Sequence, residues 1–324
     1  MSLSACGIRL EEGAPHLPLV PTREPVAGEA FLIGLWHGCA ELAAQAAALG
    51  GAQTGLPARL AVLHDDQAKV LRQELLRVGV PATVLDKPPA SATSTGSTTA
   101  TPTGSTTTGS TTSTSTGSTT TAPAAAGNGG PTALAAREAA PVGAPAFHSL
   151  AHALSAVVPL YGALLAQHGA AATLLGGTVT WPEPAWDSPS LAAGFLESTR
   201  AAVYGFEVVA AQSPTGAQRT LARSTLAALQ ALGHIQESLA GPAAGPAPLA
   251  YPLPYPVTTP AAARRLARHL VTELRAAVAR QLAQVGTSEG PLGSLVQWLA
   301  QTEVLASRWG LPLEAFPGLA AATS

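Results

Sequence analysis

The chain carries little charge. Only 11% of its 324 residues are Asp, Glu, Lys or Arg, and the formal net charge is −2. Just two of the 17 basic residues are lysines, Lys69 and Lys87. A nucleic-acid-binding surface needs clustered Lys and Arg, and the pair Arg264-Arg265 is explained by a solvated helix face. The composition therefore argues against a nucleic-acid partner, while the length suffices for one large or two ordinary domains.

Cysteine is scarce as well. Two residues are too few for a disulfide-stabilised scaffold. Cys39 has no neighbour in the sequence that would lower its pKa, so we expect an inert buried thiol. Cys6 lies in Leu3-Ser4-Ala5-Cys6-Gly7, a pattern similar to a bacterial lipobox, although only two residues precede it and the usual apolar segment is missing. A chance run of small residues is the alternative.

The lipobox interpretation predicts the location of the protein. A lipid on Cys6 would hold it at the outer face of the cytoplasmic membrane. Residues 1–25 contain the lipobox and then Pro15, Pro18, Pro21 and Pro25, a composition that suits a tether leaving the membrane surface. We therefore expect an extracytoplasmic lipoprotein.

Apolar spacing predicts three helices in the N-terminal part. Two of them, 26–49 and 56–78, are followed by glycines and form a helical hairpin over 26–81. The third, 147–175, lies with a Trp- and Pro-rich loop in the segment 146–187, and Pro159 should kink or split it. This helix has no charged residue, yet its histidines, its Pro and the lack of cationic anchors favour a buried helix over a membrane span.

Residues 82–145 differ in composition from the helices around them. Residues 91–121 are almost entirely Ser, Thr and Gly, and the stretch that follows is rich in Ala, Pro and Gly. Too few apolar side chains are available to offset the entropy of ordering such a segment. We therefore expect 82–145 to be a disordered linker.

Ser/Thr-Pro pairs at Ser188, Ser213 and Thr259 are typical helix starts. Together with a fourth helix that begins near Pro291, they predict four helices within 188–319. The first of these, 188–212, is apolar nearly all round, so we expect it to lie between two layers of helices.

The connections between these four helices predict a topology. The first two helices, and the last two, are joined by short turns and should form antiparallel hairpins. The Pro-rich stretch 241–258 could extend about 55 Å, enough to run the length of a helix of about 33 Å. Two hairpins joined by one long crossover are the ferritin-like arrangement. The sequence thus predicts an all-α fold, in which a ferritin-like four-helix bundle is joined to an N-terminal helical module.

A family resemblance is carried by short stretches of this region, namely Ala201–Gly205 with Val208-Val209, Tyr251–Pro254, Pro256–Thr258, Arg308-Trp309 and Ala315–Leu319. In them the chain resembles a ferritin-like domain family of unknown function, found in secreted and lipid-anchored proteins of high-GC Gram-positive bacteria. The N-terminal third resembles the same proteins in its lipobox and in LPARLAVLHDDQAKVL. The resemblance implies a fold and a lipoprotein context, but no activity. Members commonly carry Glu-His where this chain has Thr199-Arg200.

The residues of a diiron site are incomplete in the predicted bundle. Ferritin-like sites use a Glu on each of two helices and Glu-x-x-His on each of the other two, and 188–319 contain no Glu-x-x-His. Glu273, Glu303 and His234 could form at most a degenerate site. We therefore expect a metal-free apolar core in this bundle.

The N-terminal module offers other possible metal ligands. His148 and His152 are four residues apart on a predicted helix, and His64 and Glu41 lie on neighbouring helices. Such a pair could bind zinc with a third ligand, although histidines that face solvent explain the same spacing. The sequence shows no nucleophile motif and no phosphate-binding glycine loop, so we expect neither catalytic residues nor a cofactor.

Two functional hypotheses follow. In the first, the protein is a non-enzymatic binding or interaction module with a protein or small-molecule partner. In the second, it is a metal-binding redox or metal-storage protein of the ferritin-like class.

Replacement of Cys6 tests the anchor. With a complete export signal, the wild-type chain should fractionate with membranes, whereas Cys6→Ala should move to the soluble fraction because it lacks the lipid attachment site. Immunoblotting of the two fractions measures the change. A Cys6→Ala protein that stays on the membrane would contradict the lipobox interpretation.

Overall fold

The computed structural model describes residues 23–50, 55–87 and 130–319. These residues form helices and loops without a strand, which confirms an all-α fold. The lipobox-like stretch with Cys6 and the whole Ser/Thr-rich segment 91–121 lie outside the described residues. The α-helices are α1 Glu29–Leu49, α2 Leu56–Arg77, α3 Ala82–Leu85, α4 Pro131–Ala139, α5 Ala144–Ala151, α6 Val158–Leu174, α7 Pro189–Gln212, α8 Ala217–Ala240, α9 Pro260–Val285 and α10 Glu289–Arg308.

Helices α1 and α2 form the predicted pair and pack against each other. Helix α2 ends in a Schellman motif, in which the amide of Val80 donates to the carbonyl of Leu75 and the amide of Gly79 donates to Leu76. Gly79 has φ +99°, a left-handed value that glycine adopts readily. The glycine after the apolar run thus ends the helix where the sequence places it.

The prediction of a continuous linker over 82–145 was wrong for its described parts. Residues 82–85 form the short helix α3, and residues 131–139 form α4 with Pro131 in its first turn. The Ala-rich stretch folds because alanine is the best helix former and because Leu134 and Glu138 are both completely buried. Residues 88–129 lie outside the described part of the chain.

The third predicted helix is split, as Pro159 indicates. Helix α5 ends at Ala151, a 3-10 turn covers Ser155–Val157, and α6 begins at Val158 with Pro159 in its first turn. All twelve residues from Tyr161 to Ala172 are buried. None of the helices in the described ranges is both long and apolar enough to cross a bilayer.

The central position belongs to α6 and α10, not to α7 as the sequence predicted. These two helices pack on each other, and α10 also contacts α9. Helix α7 buries one face, which includes Phe195, Phe206 and Val209, and exposes Glu197 and Glu207 on the other. Its neighbours are α8 and α9.

Two of the predicted helix starts in the C-terminal part agree with the structure. Helix α7 follows Ser188, and Thr259 caps α9 by accepting a hydrogen bond of 3.1 Å from the amide of Ala262. Helix α8 begins only at Ala217, because Ser213 belongs to the end of α7 and donates from Oγ to the carbonyl of Val209. One cluster of buried apolar side chains includes residues of every α-helix except α4, whose Leu134 belongs to a second, smaller cluster with residues of α1, α2 and α6.

A buried ion pair fixes the chain after α10 onto α9. The guanidinium of Arg275 donates from Nη1 to Glu303 Oε2 over 2.8 Å and also bonds Glu314. The amide of Glu314 donates to Glu303 Oε1 over 2.8 Å, and the amide of Gly318 donates to Glu314. Burial raises the pKa of Glu303, although Arg275 and the amide of Glu314 oppose this. The charged form of the buried Glu303 carboxylate therefore depends on the neighbouring Arg275 guanidinium.

Substitutions of this pair should have unequal effects. Arg275→Met should lower the free energy of unfolding by about 3–5 kcal/mol, because it leaves the buried Glu303 without a cation. Glu303→Gln should cost about 1–2 kcal/mol, since Arg275 keeps Glu314 as its partner. Urea unfolding followed by circular dichroism measures both values. Equal losses of unfolding free energy in the two variants would show that Glu303 does not need Arg275 more than Arg275 needs Glu303.

Candidate functional site

Polar side chains from three helices meet in the apolar core of the N-terminal part. His64 lies on α2, Glu138 on α4 and His168 on α6, and their exposed fractions are 0%, 0% and 1%. The carboxylate of Glu138 lies between the two imidazoles, 2.6 Å from His64 Nε2 and 2.7 Å from His168 Nδ1. The rings are stacked, with centroids 5.4 Å apart. We call this arrangement the His–Glu–His cluster.

A glutamine fixes the orientation of His64. Gln67 donates from Nε2 to the carbonyl of Ala315 over 2.7 Å and to Gln167 Oε1 over 3.1 Å. Its Oε1 atom therefore faces His64 Nδ1, at 2.7 Å. Both nitrogens of His64 thus face acceptor oxygens, an arrangement that an imidazolium satisfies by donating twice.

Hydrogen bonding decides the charge state of Glu138. Burial alone raises the pKa of a carboxyl group. Hydrogen bonds and charge from His168 and His64 outweigh this effect and lower the pKa of Glu138 to about 2. The carboxylate is therefore ionised at every physiological pH.

Cys39 lies at the edge of the cluster. Its Sγ atom is 3.9 Å from His168 Nε2. Burial, with a smaller contribution from the charge of Glu138, raises the pKa of Cys39 to about 12. The thiol therefore stays protonated at neutral pH and is a poor nucleophile.

The metal ligands proposed from the sequence are dispersed. Of the four N-terminal candidates, only His64 belongs to the cluster. Glu41 is exposed and pairs with Arg137. His148 and His152 are exposed, and their rings lie against each other at a tilt of 42° with centroids 4.3 Å apart.

The three residues considered for a degenerate metal site in the C-terminal helices do not come together either. Glu273 and His234 are exposed, and the side chain of His234 is 82% accessible. Glu303 is buried with Arg275 as its partner. These three residues therefore form no common site.

Sequence reasoning missed Glu138 and His168. Glu138 lies in the segment 82–145 that the sequence predicts as a linker, and His168 lies in the predicted helix 147–175 without standing out as a metal ligand. A signal was present: Arg137 and Glu138 are the only charged residues between Lys87 and Glu183. A single acidic position in so long an uncharged stretch indicates a specific partner, since a buried carboxylate needs one.

Among the described residues, His64, Glu138 and His168 form the one group of three His, Cys, Asp or Glu side chains that could hold a metal ion. One potential ligand atom from each lies within 4.8 Å of the other two. The sites of helical bundles are commonly built this way, from side chains on facing core helices.

A second feature is a groove on the C-terminal helices. It lies between α7, α8 and the Pro-rich crossover 245–259, and has a volume of about 360 Å³. Tyr204 of α7 and Tyr251 of the crossover line it with ring centroids 5.9 Å apart. Leu249, a fully exposed leucine, forms part of its rim. We call this feature the crossover groove.

Arg200 supports the wall of the crossover groove. It donates from Nη1 to the carbonyl of Ala244 over 2.9 Å and from Nη2 to Glu237 over 2.7 Å. Arg200 of the Thr199-Arg200 pair thus joins α7 to the end of α8 and to the turn after it. Thr199 is buried beside it.

Comparison with known proteins identifies part of the chain. Residues 192–321 match a domain of unknown function, DUF4439. No curated protein and no solved structure matches the chain. The match covers α7 to α10 and leaves out the three helices that carry the His–Glu–His cluster.

The low pKa of Glu138 predicts a pH-dependent contribution to stability. Its folded pKa of about 2 lies below the ordinary 4.5, so the contribution is full above pH 4.5 and disappears as the pH falls toward 2. Relative to Glu138→Gln, the wild-type chain should lose about 3 kcal/mol of unfolding free energy over this interval. Urea unfolding at several pH values gives the difference.

Glu41→Gln is the matched control, because Glu41 pairs with Arg137 at the surface. An exposed pair contributes about 0–1 kcal/mol, so the control should follow the wild-type curve closely. A parallel course of the wild-type and Glu138→Gln curves would contradict the assigned charge of Glu138.

Proposed function

We propose that the protein is a non-enzymatic binding module, held at the outer face of the cytoplasmic membrane by a lipid on Cys6. Its C-terminal helices form a ferritin-like bundle, and the crossover groove binds the partner. The observation that carries this proposal is the groove itself, because two stretches that carry the family resemblance meet there.

The order of the helices supports a ferritin-like arrangement. Helices α7 and α8 pack as a hairpin, α9 and α10 pack as another, and the crossover joins the two. Helix α9 also packs on α7. The buried Glu303 carboxylate, on a helix where a ferritin-like protein would hold iron, has a guanidinium as its cation. This supports a bundle that works without a diiron centre.

The shape and lining of the crossover groove support binding. Its volume of about 360 Å³ falls in the range of small-molecule sites, about 300–1,000 Å³. Tyr204 is contributed by the Ala201–Gly205 stretch and Tyr251 by the Tyr251–Pro254 stretch. Paired tyrosines offer large rigid apolar faces with polar ends, a composition common at binding surfaces.

The charges around the groove narrow the chemistry of the partner. Glu207 and Glu237 line it together with Arg200, whose guanidinium is already bonded to Glu237 and to backbone carbonyls. Excess negative charge therefore remains at Glu207. A ligand or peptide side chain that combines an aromatic or aliphatic group with a cation fits best, because tyrosine faces also attract cations.

A second function is favoured by a separate observation. The His–Glu–His cluster supports metal binding, which is the other hypothesis drawn from the sequence. Of the ligands proposed from the sequence, only His64 belongs to this cluster. It involves different helices from the crossover groove, so the two functions are compatible.

Ligand-detected NMR with a panel of small probes tests the groove. The panel should contain aromatic cations, aromatic anions and saccharides. We expect aromatic cations to bind the wild-type chain and to bind Tyr204→Ala about tenfold more weakly, because the variant loses one stacking face. Leu249→Asp should weaken binding of the apolar probes.

Val62→Asp is the matched control, because Val62 is an exposed apolar residue of α2 outside this groove. It should bind like the wild-type chain. Equal binding by Tyr204→Ala, or no binding by any probe, would exclude the crossover groove as the site. Turnover of a bound compound would contradict the non-enzymatic function.

A further inference from the structure

We propose that the His–Glu–His cluster binds one divalent metal ion of the Zn²⁺ class. The ligand atoms are His64 Nε2, His168 Nδ1 and the carboxylate of Glu138. The inference rests on the second function proposed above and deepens it. It is independent of binding in the crossover groove, because the cluster belongs to α2, α4 and α6 and the groove to α7, α8 and the segment after them.

The ligand atoms are close to the geometry that zinc requires. Zinc binds imidazole nitrogen and carboxylate oxygen at about 2.0–2.2 Å, so tetrahedral ligand atoms lie about 3.3–3.6 Å apart. The two N···O distances are now 2.6 and 2.7 Å. Each nitrogen would have to move away from its oxygen by only about 1 Å or less to make room for the ion. Small side-chain rotations can provide this movement.

The atoms around the cluster orient its ligands as in known metal sites. A metal-bound histidine commonly donates its other N–H to a carbonyl or carboxylate oxygen, which fixes the ring. Gln67 Oε1 occupies this position for His64, at 2.7 Å from Nδ1. Gln67 is itself held by the carbonyl of Ala315 and by Gln167. His64 Nε2 is thereby directed at Glu138 before any ion binds.

The donor set also indicates the kind of ion. Two imidazoles and one carboxylate suit zinc and similar transition-metal ions, whereas calcium and magnesium prefer oxygen ligands alone. The thiol of Cys39 lies 3.9 Å from His168 Nε2, the nitrogen that does not face Glu138, and Cys39 does not belong to the group of converging ligand atoms. It is therefore not a ligand in the proposed site.

A surface depression lies beside the cluster, between α1 and α4. It has a volume of about 300 Å³ and is lined by His168 and by Gly34 and Gly38 of α1. His64 and Glu138 do not line it and are fully buried, so the depression brings an ion next to the cluster but does not expose all of its ligands.

The direct test is titration of the chelator-treated full chain with Zn²⁺ alone, followed by calorimetry. We expect one ion per chain. Zinc at about 100 times its Kd should also raise the Tm by about 5–8 °C, because it binds only the folded state. No stoichiometric binding, or binding without a Tm increase, would overturn the proposal.

Variants separate this site from other histidines. Glu138→Gln and His168→Gln should weaken zinc binding at least 100-fold, and Gln67→Ala about 10–100-fold, as expected for a residue that orients a ligand. His148→Ala/His152→Ala is the control, because this exposed pair could bind zinc adventitiously. It should leave the affinity unchanged. Loss of zinc binding in the control alone would overturn the proposal.

X-ray absorption of the zinc-loaded wild-type chain keeps the test decisive if the core variants fail to fold. We expect only nitrogen and oxygen ligands, with two imidazoles. A sulfur ligand at about 2.3 Å would place the ion at a cysteine and would overturn the proposal.

Discussion

The carboxylate of Glu138 constrains the whole N-terminal part of the structure. It is completely buried, and a buried charge is tolerated only when opposing charges and hydrogen bonds surround it. Both of its oxygens have partners, His64 on α2 and His168 on α6. The three helices can therefore assemble in only one register, because a shift of one residue along any of them would remove a partner.

The short helix α4 depends on this arrangement. At nine residues, it is below the length at which an isolated helix is stable in water. Its stability must come from tertiary contacts, which Leu134 and Glu138 provide in the core. This explains why residues 131–139 form a helix although their Ala-rich composition suggests a linker.

A second constraint joins the two parts of the chain. Helix α6 has no charged residue and is buried on all sides between Tyr161 and Ala172. Its Gly169 lies under Trp181, where an added Cβ would come within 2.8 Å of the ring. The match to the domain of unknown function begins at residue 192, yet α10 of that domain packs on α6. In this chain the matched domain therefore completes its core with a helix that lies before it.

Sequence reasoning recovered features that depend on local chemistry. Gly79 ends α2, Pro159 begins α6 and Thr259 begins α9 because each acts on its own turn of backbone. It could not recover features that depend on distant partners. Glu138 meets His64, which is 74 positions earlier in the chain, and nothing near Glu138 in the sequence reveals this. Periodicity also placed His148 and His152 on one face of a helix, but it could not show that this face is exposed.

The two parts of the molecule neutralise a buried carboxylate with different cations, and this difference decides where a metal could bind. Glu303 is paired with Arg275, whose guanidinium cannot lose its proton in a protein and has no lone pair to offer a metal. Glu138 is paired with two imidazoles, each of which becomes a metal ligand once the proton on the facing nitrogen is lost. A cation can therefore replace a proton between His64 and Glu138, whereas nothing can replace the charge of Arg275. The metal binding that we propose thus lies in the N-terminal helices, outside α7 to α10.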